Sequence, residues 1–205
     1  MFFNSLFDLL AGIPALLIAI TFHEYAHGKM AAILGDPTPA SQGRLSLNPL
    51  AHLDVLGTLM LLVAGFGWAK PVQVNPFYFR GDRQKGMMKV GLAGPVMNLV
   101  LAYLAAVAAR LTGGAPPLLD AFLWYTLWYN SMLAVFNLIP LPPLDGSKVL
   151  AGILPRRSAM SLYSLEAYGP MILLLLLATG VLSSFLRPAV RGLMTAIATL
   201  AGLGM

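Results

Sequence analysis

Thr21-Phe22-His23-Glu24-Tyr25-Ala26-His27 places a His-Glu-x-x-His pattern inside one of the most apolar stretches of a 205-residue chain. On a helix of about 3.6 residues per turn, His23 and His27 lie one turn apart on the same face, so two imidazoles can converge on a metal with Glu24 beside them. Zinc suits that face. A catalytic zinc takes three protein ligands and leaves a fourth position to water, whose pKa falls towards about 7, so that a neighbouring carboxylate can accept the proton. Glu24 is the natural base. The same spacing can arise by chance on a polar helix face, but Phe7 to Phe22 carries no charge after Asp8. Ionisable groups in so apolar a setting are costly unless paired, ligated or functional.

Composition extends this reading to the whole chain. With 58% hydrophobic and 10% charged residues, and a mean hydropathy of +0.77, the chain departs from the roughly 25% charged residues of soluble domains. It reads as an all-α, polytopic membrane protein in contact with the lipid bilayer. The net charge of +5 comes from 13 basic residues spread between apolar segments. That distribution fits loops at a lipid surface and excludes nucleic acid as a partner. Cysteine is absent, so neither a disulfide framework nor a thiolate ligand is available, and any metal falls to His, Asp or Glu.

The N-terminus has no basic residue before its apolar run and does not read as a cleaved signal peptide. A first helix is expected from about Leu6 to Leu34, with Pro14 inside it, ending at Gly35-Asp36-Pro37. Residues 36–54 turn polar and Pro/Gly-rich, and short strands are expected between the first two membrane segments. Val55 to Trp68 is apolar but spans only about 21 Å as a helix against a hydrocarbon core of about 30 Å, so it is read as tilted or re-entrant. Further helices are expected over Met87–Arg110 and Leu118–Ile139. A short segment follows Pro140-Leu141-Pro142-Pro143, then a long span over Tyr168–Leu186 and a last short one over Ala189–Leu203. This gives about five or six membrane helices, some short or re-entrant, in a single domain over 1–205.

If Met87–Arg110 and Leu118–Ile139 both cross, one side collects Lys70, Arg80, Arg83, Lys85, Lys89, Lys148, Arg156 and Arg157. The positive-inside bias makes that side cytoplasmic, and Asp145 lies on it. The two histidines need a third ligand. Asp36, Asp54, His52 and Asp145 are the candidates left once acids near helix ends and loops are set aside. Asp145 is favoured because irregular backbone after a broken membrane helix persists only where it lines a cavity. A rival role for Asp145 is the N-cap of the short helix that follows. His52 is read first as an orienting or structural residue.

These motifs, with Gly94-Pro95-Val96-Met97-Asn98 and Asn137-Leu138-Ile139-Pro140-Leu141-Pro142-Pro143-Leu144-Asp145-Gly146, resemble in order those of the site-2 protease family of intramembrane zinc metalloproteases. The similarity extends to Gly43-Arg44-Leu45-Ser46-Leu47-Asn48-Pro49 and to Asn48-Pro49-x-x-His52-x-Asp54, and covers roughly Thr21 to Gly146. It implies His23, His27 and Asp145 as ligands of one zinc per chain, Glu24 as general base and Asn98 near the scissile bond of a transmembrane protein substrate. Together with the positive-inside bias, this describes a multi-pass cell-membrane enzyme whose active site is expected towards the cytoplasm. No PDZ-like or nucleotide-sensing segment is recognisable, which suggests a minimal form. A small-xxx-polar pattern such as Gly94–Asn98 is also a helix-packing device. The rival class is a membrane metal transporter that uses the same His and Asp residues as a transit site. Such a site has no need of Glu24.

Overall fold

The computed structural model describes residues 5–64 and 67–203. Nine α-helices occur among them: α1 Leu6–Ile33, α2 Thr38–Ser41, α3 Val55–Ala64, α4 Arg83–Leu111, α5 Pro117–Asn137, α6 Asp145–Ile153, α7 Arg156–Ser164, α8 Gly169–Ala178 and α9 Val181–Ala201. The all-helical class expected from the sequence is what forms. Among the described residues two helices, α1 and α4, are long and apolar enough to cross a membrane, and α7 with α8 would make a third only as a span bent by 67°.

Helix ends follow their local chemistry. The Ser5 hydroxyl accepts the Asp8 N–H at 3.1 Å to start α1, and Gly35 ends it at φ 108°, a left-handed angle that suits a residue without a side chain. Asp82 starts α4 by accepting the Lys85 N–H at 2.8 Å. That bond favours the ionised form and holds the Asp82 carboxyl below its ordinary range. Pro14 and Pro95 both lie within helices, as lipid-embedded bundles allow.

Small residues let α1, α4 and α5 pack closely against one another. Ala11, Ala15, Ala19 and Ala31 are buried on α1, and Gly91, Gly94, Ala102, Ala105 and Ala106 on α4. Without a hydrophobic drive between helices in lipid, close backbone approach of this kind supplies the van der Waals contact that holds them. Helix α9 closes one side by setting Val190, Met194 and Ile197 on Ala102, Ala105, Ala106 and Leu127. Helix α6 docks on α4, where Gln84 donates to the Ala151 and Leu154 carbonyls at 2.6 and 2.7 Å and so satisfies the C-terminal end of α6.

Three boundaries differ from the sequence expectation. No strand forms among the described residues; an isolated antiparallel bridge pairs Leu53 with Ala69. Side chains take the place of a ladder there. Arg44, only 4% exposed, donates to the Ala51 carbonyl and to the Lys70 and Pro71 carbonyls at 2.6 and 2.8 Å. Asp36 accepts the Asn75 N–H at 2.7 Å. Tyr168–Leu186 is not one helix, because Gly180 adopts φ 73° and divides α8 from α9. Conversely, Pro188 lies inside α9, which continues through the Arg187-Pro188 pair expected to end a span. Helix α3 is described over Val55–Ala64, within the short segment expected over Val55–Trp68, of which residues 65–66 lie outside the described residues.

Candidate metal centre

His23 and His27 project from one face of α1, and the Pro-rich turn after α5 brings Asp145, the first residue of α6, against them. The His23 and His27 Nε2 atoms are 3.0 Å apart. Asp145 Oδ2 lies 3.2 Å from the first and 2.9 Å from the second. All three side chains are buried. Among the described residues they are the group of His and acidic side chains able to share a metal ion.

Hydrogen bonds on the outer edges of the rings show what this triangle is for. His23 Nδ1 lies 2.6 Å from Asn98 Oδ1, and His27 Nδ1 lies 2.7 Å from the Val90 carbonyl. Both partners accept, so each Nδ1 donates outward and each Nε2 is the ring nitrogen turned towards Asp145. Two imidazole nitrogens and a carboxylate oxygen thus converge at 2.9–3.2 Å, a set of donor atoms that a cation can bridge. Zinc bonds of about 2.0–2.1 Å in tetrahedral geometry set ligand atoms about 3.3–3.4 Å apart, close to the separations here. The donor set fits zinc, and second contacts to both imidazoles are the usual means of orienting such ligands.

Glycines on α4 make the approach possible. A Cβ at Gly94 would stand 2.5 Å from His27 Nε2 and 2.7 Å from His23 Nε2, in the space against the ligand atoms. One at Gly91 would stand 3.0 Å from both the Asp145 carbonyl oxygen and Lys148 Cβ. The same helix face therefore receives α1 and α6.

Each competitor for third ligand is engaged elsewhere. Asp36 accepts from the Thr38 N–H at 2.9 Å as well as from Asn75. Asp54 accepts the Gly57 N–H at 2.8 Å at the start of α3. His52 is fully buried, with Nε2 2.8 Å from the Ser46 carbonyl, which agrees with its structural reading. Asp145 is not a cap: Leu144 occupies the N-cap position of α6. Its second oxygen, Oδ1, meets Lys148 Nζ at 2.9 Å. In the sequence Lys148 counts as a charge of the expected cytoplasmic side and not as a partner of Asp145, although an acid and a base at i and i+3 are a recognisable helix pair.

Glu24 is half-buried, and its Oε2 accepts the Val72 N–H at 3.0 Å. Asn98, expected at the substrate, is fully buried. Its oxygen faces His23, and its amide nitrogen donates to the Ala19 carbonyl at 3.1 Å and to Asn130 Oδ1 at 2.8 Å. In this arrangement Asn98 reaches the site through His23.

Comparison with known proteins agrees with this chemistry. The family model for Peptidase family M50 matches residues 115–178, which include Asp145. YwhC of Bacillus subtilis, named as a zinc metalloprotease, is 39% identical over 181 residues, covering 84% of this chain and 82% of its own. Rip2 of Mycobacterium tuberculosis, also named as a zinc metalloprotease, is 31% identical over 186 residues, which is 86% of this chain and 66% of Rip2. No solved structure matches. A chain aligned with 82% of YwhC at 39% identity, and matched by the family model across the helices that deliver Asp145, belongs to peptidase family M50, the site-2 protease family of zinc metalloproteases.

Proposed function

We propose that this zinc metalloendopeptidase cleaves membrane-embedded protein substrates within or near the bilayer, with His23, His27 and Asp145 as metal ligands and Glu24 as general base. The observation that carries this reading is the convergence of three donor atoms on the apolar helix α1, itself long enough to cross a membrane. Residues 1–205 act as one domain. The bundle crosses the membrane several times, in about five or six segments of which some, α3 among them, are short or re-entrant. The site faces the cytoplasm, on the side that collects Lys70, Arg80, Arg83, Lys85, Lys89, Lys148, Arg156 and Arg157.

Bound zinc supplies Lewis acidity that polarises the scissile carbonyl and makes water acidic enough to lose a proton near neutral pH. Glu24 takes that proton as the water oxygen bonds to the carbonyl carbon. It then gives the proton to the nitrogen leaving as the C–N bond breaks. The Val72 N–H fixes one carboxylate oxygen of Glu24 during both transfers. A transmembrane substrate hides its peptide bonds in helix, so it must unwind locally. The segment Val72-Gln73-Val74, tied down by Arg44 and Asp36, offers it a strand to pair with.

Incubation of the purified protein with single-span substrates in lipid vesicles tests this reading. Cleavage should stop with a chelator, return with zinc, and fall by about 10²–10⁴-fold or more in Glu24→Gln while zinc content is kept. Undiminished cleavage by Glu24→Gln would remove Glu24 from the mechanism.

A further inference from the structure

Helix α5 buries three polar side chains in succession on an otherwise apolar surface: Thr126, Asn130 and Ser131 are 7%, 0% and 0% exposed. An amide sealed in hydrocarbon is costly unless its groups are paired. Asn130 pairs at both ends. Its amide nitrogen donates to the Thr126 carbonyl at 2.8 Å, and its oxygen accepts from Asn98 Nδ2 at 2.8 Å.

We propose that Asn130 is a positioning residue for the metal site: through Asn98 it fixes the orientation of the His23 ring, so that Nδ1 is held by Asn98 and Nε2 is the nitrogen left facing the metal position. The inference rests on the zinc-site reading above. Its argument is one of hydrogen-bond polarity. The Thr126 carbonyl can only accept, so Asn130 must turn its NH2 there and its oxygen towards Asn98. Asn98 must therefore turn its NH2 towards Asn130, an orientation that the Ala19 carbonyl also demands, and its oxygen towards His23. His23 Nδ1, 2.6 Å away, must then donate. Reversing either amide sets donor against donor or acceptor against acceptor in a dry interior, where each unmade bond costs about 1–3 kcal/mol. A direction fixed by a backbone carbonyl on α5 is thus transmitted through α4 to a ligand on α1. Asn130 touches the metal ligands through Asn98 and needs no contact with substrate.

A packing role and a polarity role predict opposite orders for two substitutions. Asn130→Leu keeps roughly the volume but leaves an Asn98 N–H unpaired. Asn130→Asp, as the buried acid, keeps an acceptor oxygen facing Asn98 and an O–H that can donate to the Thr126 carbonyl in place of the amide. Zinc affinity of the full chain in detergent, measured by competition with a chromophoric chelator, should weaken about tenfold in Asn130→Leu and return towards wild type in Asn130→Asp, within the range of outer-contact effects on metal sites. Equal affinity for Asn130→Leu and wild type, or a loss in Asn130→Asp as large as in Asn130→Leu, overturns the inference. His23→Ala is the control for the underlying reading: if it retains zinc, the ligand assignment itself fails. Should Asn130→Leu not fold, Asn130→Ala replaces it. In that variant ¹⁵N shifts of labelled histidine in the metal-free protein should show the His23 Nδ1 hydrogen bond to Asn98 weakened. An unchanged Nδ1 signal in a folded Asn130→Ala also overturns the inference.

Discussion

Lys148 Nζ sits 2.9 Å from Asp145 Oδ1, the carboxylate oxygen turned away from the two imidazoles. One turn of α6 therefore divides the carboxylate between a cation of the chain and the metal position. Lys148 holds the ligand oxygen in place and discourages Asp145 from rotating to use both oxygens. Lys148→Met, which keeps most of the stem, should weaken zinc about tenfold, and Lys148→Arg should recover part of the loss. Chelator competition on the two variants measures this, and wild-type affinity in Lys148→Met would reduce the pair to a surface contact.

Asp145 and His52 should separate cleanly. Asp145→Asn replaces a carboxylate by a neutral amide at a ligand position and should lose bound zinc, with cleavage lost in parallel. His52→Ala leaves a cavity under Ser46 and costs stability, yet it should bind about one zinc per chain because the His52 ring bonds the Ser46 carbonyl. Zinc content after gel filtration decides between them. A metal-free His52→Ala alongside a zinc-loaded Asp145→Asn would mean the third ligand is wrongly assigned.

Gly94→Ala is the smallest change that should empty the site. Its Cβ would stand 2.5 Å from His27 Nε2, nearer than any unbonded carbon tolerates, so an imidazole must swing away. Helix content by circular dichroism should persist while zinc binding is abolished. A zinc-replete Gly94→Ala would show that α4 can retreat from α1.

Asp82 gives a pH signature at the start of α4. Its carboxyl lies below the ordinary value chiefly because the Lys85 N–H bonds the ionised form. The folded pKa is depressed, so the cap contributes its full stability above the unfolded value of about 3.9 and loses it as pH falls through the folded pKa. The unfolding temperature of Asp82→Ala should lie below that of the wild type at pH 7, and the gap should close in acid. Asp82→Asn, which caps without titrating, should keep its lead over Asp82→Ala throughout. A gap independent of pH would exclude the carboxylate as its source.

What could be read from the sequence follows the range of the forces involved. The pairing of the two imidazoles on one helix face, with Glu24 beside them, follows from the 3.6-residue period, whereas Asp145 is only the favoured one of four candidates until the fold sets it against both rings. The whole α1 helix was visible as an apolar run bounded by Gly35. Asn130 was not, because nothing in a sequence pairs residue 98 with residue 130, or gives an amide its orientation. Nor was the fate of residues 36–75. Their alternating pattern suggests strands, but the backbone groups that a ladder would have satisfied go to Arg44, Asp36 and Glu24, and long-range side-chain bonds leave no local signature. Pro188 misled for a related reason: proline disfavours helix in isolation, while packing of α9 on α4 and α5 overrides it.

The docking of α6 on α4 also sets a timetable. Synthesis delivers His23 and His27 early, whereas Asp145 follows 118 residues after His27 and needs Gln84, Gly91 and the Pro-rich turn in place before it can swing in. On the proposed ligand assignment, a chain that holds only α1 to α5 carries two of the three ligands, so zinc affinity should appear only once α6 has been made and has docked on α4.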